Sequence, residues 1–172
     1  MNKKTLSLVL KFLTITSSIV GIIKLIMLPV PFGGAHNLLY FTLQSNIWIS
    51  ICCFVGAILI IMEYASKKQI FKRWMFVCKM IFTICITVTG FVFCCVIAPT
   101  MPELVWNFPN VLLHIVVPVL AILDFFIFDT QIIYEKKDWI WVNIPFVYYI
   151  IFATIGYVFK WDFGAGLNYP YF

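Results

Sequence analysis

Residues 38–62 read LLYFTLQSNIWISICCFVGAILIIM, a run without one Asp, Glu, Lys or Arg. A predominantly apolar stretch of about 18 residues or more is long enough to cross the hydrocarbon core of a bilayer as a helix. In lipid that helix is compulsory, because each segment must satisfy its own N–H and C=O groups. Four further stretches of the same kind occur at 6–28, 74–97, 111–128 and 140–159. The chain of 172 residues is 63% hydrophobic and only 11% charged, with a mean hydropathy of +1.03. That is more apolar surface than a soluble core of this size can hide, so soluble domain classes are excluded. The predicted fold is an all-α integral membrane protein, residues 1–172 forming one polytopic bundle of five transmembrane helices.

The first span is not read as a secretory signal. Its apolar stretch exceeds the ~7–15-residue core of such a signal, and no small-x-small cleavage site follows. The connections alternate in charge. Lys3 and Lys4 precede span one, and Lys67, Lys68, Lys72 and Arg73 follow span two. Lys136 and Lys137 lie before span five, whereas residues 29–37 carry no Lys or Arg and residues 98–110 carry only Glu103. The positive-inside rule therefore puts the N-terminus in the cytoplasm and the C-terminus outside, in what is read as a bacterial plasma membrane. Trp74, Trp139 and Trp141 fall at inner edges and Trp106 and Trp161 at outer edges, as an aromatic belt does; Trp48 alone sits within a span. The net charge of +5 is thus a topology signal, and nothing points to nucleic acid. The six cysteines all lie in spans without metal-ligand spacing and are read as packing residues. No metal or organic cofactor is implied.

Polar side chains inside spans are costly and are the first place to look for function. With the orientation set, 1.5 Å per residue assigns each a depth. Thr42 in span two, His114 in span four and Lys24 in span one share a level, about 5–7 Å below the outer boundary. Thr42, Ser45 and Asn46 lie at i, i+3 and i+4, hence on one helix face, while Gln44 points elsewhere and marks the membrane edge. Asn110 and His114 are at i and i+4, and Pro118 one turn deeper removes the helical partner of the His114 carbonyl. Lys11, Lys79 and Asp124 cluster near the inner side. Asp124 is ten residues from His114, about 15 Å along the axis, so an ion pair with Lys11 or Lys79 is the expected use of Asp124. Each outer residue also has a plain structural use. Thr42 can bond back to its own helix, Lys24 can snorkel to headgroups, Asn110 can cap its helix, His114 can bridge two helices, and His36 can be a surface residue.

The chemistry open to the outer group is specific. A threonine hydroxyl becomes a nucleophile when a base takes its proton, and a neutral histidine is the usual base. Thr42 lies in the first turns of its helix, where free backbone N–H groups and the positive dipole end can hold an oxyanion, with Ser45 or Asn46 as side-chain donors. Lys24 can hold a substrate's carboxylate or headgroup, and Asn46 and Asn110 support the pair. The shallow depth suits an amphiphilic lipid ester and admits water.

The stretches YFTLQSN (residues 40–46), NVLLHIVVPVLAILDFFIF (110–128) and NYPYF (168–172) resemble the family of androgen-induced and androgen-dependent membrane hydrolases and their small bacterial relatives. The resemblance implies an intramembrane threonine hydrolase of fatty acid esters of hydroxy fatty acids, with Thr42 as nucleophile and His114 as base. Relatives continue into a sixth helix, and the eukaryotic members have four residues between histidine and proline where this chain has three. The other reading is a non-enzymatic small transporter or lipid-binding membrane protein, with Lys24, His114 and Asp124 as a polar path.

Overall fold

The computed structural model describes residues 2–29, 33–102, 106–164 and 166–170, without the side chain of Gln131. Glu103, Tyr171 and Phe172, singled out above, lie outside the described residues. Five helices are long and apolar enough to cross a membrane: α1 Lys3–Ile26, α2 Phe41–Ser66, α3 Arg73–Thr100, α4 Phe108–Ile127 and α5 Lys136–Val158. No strand occurs among the described residues. The protein is an all-α polytopic bundle.

Helix starts depart from the hydropathy limits for local reasons. Residues Ala35–Leu39 coil into a 3-10 turn and Tyr40 is extended, so α2 starts at Phe41 rather than Leu38. Thr42 is thereby the second residue of the helix. Gln44 is buried against the protein. Its Nε2 donates to the carbonyls of Leu38 and Leu39 at 3.3 and 3.4 Å, tying the turn to the helix. In α4 the cap is Asn107, not Asn110: the Asn107 side chain accepts the Asn110 N–H at 3.0 Å. His36, expected at the surface, is half-buried beside Gly34 and Gly164. α5 begins at Lys136, where Glu135 and Asp138 form a reciprocal capping box. It breaks in a turn after Trp141 and restarts at Ile144.

α3 and α4 each contain one π turn, Phe93–Ile97 and Leu112–Val116. Both precede a proline at the same spacing, Pro99 and Pro118. Proline brings no N–H and crowds the carbonyl four residues back, so the preceding turn widens. In α4 the Val117 N–H accordingly bonds Leu112. Pro118 offers no N–H to the His114 carbonyl in the α register, nor, in the π register, to the carbonyl of Leu113 five residues back. Asn46 Nδ2 fills it from α2 at 3.3 Å.

α1 packs on α2 and α4, and α3 packs on the same two helices. The interior is polar where a soluble core would be oily. α1 turns Ser7, Lys11, Thr14, Ser18 and Gly21 inward and leaves Val9, Phe12, Leu13, Ile19 and Ile23 exposed. Between lipid and protein there is no hydrophobic driving force, so small and hydrogen-bonding residues make the helix contacts. α5 is held mainly through aromatic rings: Phe146 and Tyr149 meet Phe41, and Tyr148 meets Trp48. Trp48 is therefore a packing residue, with its ring also 6.1 Å from that of Phe82. Cys53 and Cys85 are buried packing residues, but Cys94 and Cys95 are exposed on α3.

Near the basic end, Asp124 is fully buried and saturated. Lys11 Nζ and Lys79 Nζ donate to its Oδ2 at 2.7 and 2.9 Å, and Ser7 Oγ donates to Oδ1 at 2.5 Å. Lys79 also reaches Cys53 Sγ at 3.1 Å, and Lys11 Nζ lies 5.0 Å from the Phe128 ring centroid. Asp129, just beyond the end of α4, is buried beside this group with Oδ2 unpartnered. Burial pushes its carboxyl up to about 6; the Asp124 charge adds to the effect, and Lys11 and Lys79 oppose it. The sign for stability follows. Below about pH 4 the carboxyl is neutral in both folded and unfolded chains. Between about 4 and 6 the unfolded chain releases this proton and the folded one keeps it, so stability falls as pH rises and then levels off. Asp129→Asn is expected to flatten this slope and to raise stability at neutral pH, by at most about 2–3 kcal/mol. Thermal unfolding in detergent from pH 4 to 8 checks it; an unchanged slope refutes the assignment.

Candidate active site

The first turn of α2 presents its polar residues in distinct directions. The Thr42 carbonyl accepts from Ser45 Oγ at 2.9 Å and from Asn46 Nδ2 at 2.8 Å. Ser45 Oγ also meets Thr89 Oγ1 on α3 at 3.1 Å, and Ser18 Oγ on α1 donates to the Asn46 carbonyl at 3.2 Å. Four helices are thus tied to one turn, because Asn46 also bonds Leu113 on α4. The Thr42 hydroxyl itself makes no hydrogen bond among the described residues, and neither do the backbone N–H groups of Phe41 and Thr42. These are the free donors expected at a helix start.

His114 sits in the π turn of α4. Its ring stacks on Phe93 of the α3 π turn, centroids 4.1 Å apart and planes 11° from parallel. The buried Nδ1 has no partner. α3 and α4 approach closely here. A Cβ on Gly90 would stand 2.7 Å from the His114 carbonyl oxygen and 3.1 Å from Pro118 Cγ. Neither neighbour can move without its backbone. Gly90→Ala is expected to cost about 1–3 kcal/mol by overpacking and to displace the histidine, read as a lowered melting temperature in detergent together with lost probe labelling (below).

Thr42 and His114 line one cavity of about 290 Å³, whose other walls include Phe41, Thr89, Phe146 and Tyr149. Apart from the two threonines and the histidine it is bounded by apolar and aromatic side chains. Lys24 is exposed on α1 and is not among the lining residues, so the structure does not bring it to the pair. Asn46 and Ser45 are buried behind Thr42, and Asn110 lies one turn before His114. Lys11, Lys79 and Asp124 form the separate inner cluster. Thr89, which lines the same cavity, and Phe93, which stacks on the histidine, carry only a weak sequence signal: a hydroxyl in the second half of span three and the shared proline spacing of the two π turns. Among the described residues no group of three His, Cys, Asp or Glu side chains is placed to hold a metal ion.

Comparison with known protein families, with curated proteins and with solved structures finds no match for this chain.

Proposed function

We propose that the protein is an intramembrane hydrolase of lipid esters, of the kind represented by the androgen-induced and androgen-dependent hydrolases it resembles. One observation carries this reading: Thr42, whose hydroxyl has no partner among the described residues, and His114, whose buried Nδ1 has none, line the same small apolar cavity. In the proposed reaction Nδ1 accepts the Thr42 proton as Oγ1 attacks the ester carbonyl carbon. The resulting oxyanion lies against the N–H groups at the start of α2, where the helix dipole is positive. Collapse breaks the ester bond, and the proton on Nδ1 leaves with the alcohol. Water, deprotonated by the same nitrogen, then cleaves the acyl-threonine and releases the acid. An apolar cavity suits an acyl ester, and fatty acid esters of hydroxy fatty acids are the substrates the resemblance implies. The stack on Phe93 holds the imidazole in place.

A fluorophosphonate probe tests the reading. Labelling of the membrane-embedded protein is expected in the wild type and absent in Thr42→Ala; labelling that survives Thr42→Ala rules out this nucleophile. The transport path through Lys24, His114 and Asp124 gains no support, since Lys24 is exposed and Asp124 is saturated by Ser7 and two lysines.

A further inference from the structure

A second cavity, of about 700 Å³, runs between the first half of α3 and the break in α5. Its walls are Val77, Ile81 and Phe82 on one side and Ile144 and Pro145 on the other. It exists because α5 turns aside after Trp141 and restarts at Ile144. Toward the outer side, the rings of Phe82, Trp48 and Tyr148 block the seam. This separates the groove from the Thr42–His114 cavity, so nothing here depends on the hydrolase reading.

The groove ends at the basic face. Trp74 and Trp141 line it there, and both are more than half exposed, as rings at the level of lipid headgroups are. Lys72, Arg73 and Lys137 stand at the mouth. Arg73 is spent on Asp138 and Glu135, and Lys137 reaches Glu135 at 2.8 Å. Lys72 makes no ion pair among the described residues. Three basic side chains thus face two carboxylates, Asp138 and Glu135, so the mouth is net positive. An apolar slot with a cationic, tryptophan-flanked mouth matches an amphiphile with an anionic head. The cytoplasmic leaflet supplies that chemistry, and basic segments at its surface attract it.

We infer that this groove seats one acyl chain of an anionic phospholipid, with the phosphate at Lys72 and Lys137. The lipid wedges α5 against α3.

Tryptophan quenching by brominated lipids tests this. The full chain is reconstituted in phosphatidylcholine vesicles holding the same minor fraction of either brominated phosphatidylglycerol or brominated phosphatidylcholine. Quenching several-fold stronger with the anionic lipid is expected. The excess is expected to disappear in Lys72→Gln/Lys137→Gln and in Trp74→Phe/Trp141→Phe, and to persist in excess glycerol 3-phosphate. Equal quenching by the two lipids overturns the inference, as does an excess that survives loss of both tryptophans. Relief by glycerol 3-phosphate assigns the mouth to a soluble phosphate and overturns the lipid assignment.

Discussion

Thr42→Ala is expected to reduce hydrolysis of a branched fatty-acid ester in vesicles to background, and His114→Ala to reduce it by about 10²–10⁴-fold, the usual contribution of a positioned base. The two losses should not add. Once the nucleophile is gone the base has nothing to deprotonate, so the double variant should match Thr42→Ala. Thr42→Ser should recover part of the activity, because it restores a hydroxyl at the same position. The control against simple misfolding is favourable at Thr42. Its hydroxyl makes no hydrogen bond among the described residues, and the bonds that tie the turn together use its backbone carbonyl. Thr42→Ala should therefore melt close to the wild type. His114→Ala removes the stack on Phe93, and some loss of stability is expected there. Thr42→Ala carries the catalytic test, and turnover that persists in it would falsify the proposed mechanism.

The bundle was legible because its spans are long and uncharged, a property of length and composition that packing does not alter. That Thr42 and His114 can line one cavity was legible for a related reason: counting residues from an edge estimates height. It does not fix azimuth, and this is where Lys24 was misplaced. The inward stripe of α1 runs Ser7, Lys11, Thr14, Ser18, Gly21, Leu25, alternating steps of four and three. Lys24 falls beside that stripe, on the lipid side. The stripe of small and polar residues was present in the sequence and would have excluded it. Other features left little trace. The ring that stacks on His114, Phe93, is one of many aromatic side chains in the spans, and nothing in the sequence singles it out. The π turns are a matter of backbone register, signalled only by two prolines at matching distances. Asp129 reads as a loop residue, yet the chain folds back so that the Tyr134 hydroxyl bonds its carbonyl at 2.8 Å, and the carboxyl is buried.

The largest stability effect is expected at Asp124. It is the shared partner of two lysines that are only 1% and 3% exposed. Taking away one member of a buried ion group typically costs about 3–5 kcal/mol, because the charges left behind remain desolvated. Asp124→Asn strands two such charges and belongs at the upper end or beyond. Lys79→Met leaves Lys11 paired with Asp124 and should cost less. Replacing all three by apolar residues of similar volume should recover much of the loss, since a buried ion group is often no better than good apolar packing. Denaturant or thermal unfolding in detergent ranks the variants; equal losses for Asp124→Asn and Lys79→Met would contradict the shared-partner geometry. The same substitution acts on Asp129. Removing the Asp124 charge takes away one of the influences that hold the Asp129 carboxyl up and leaves the lysines free to stabilise its ionised form. The fall in stability between about pH 4 and 6 should therefore shrink in Asp124→Asn, although the protein is weaker at every pH. His114 lies about 15 Å away along α4, so turnover per folded molecule should stay unchanged in this variant. Loss of activity with the fold retained would instead place Asp124 in the same functional unit as the outer pair.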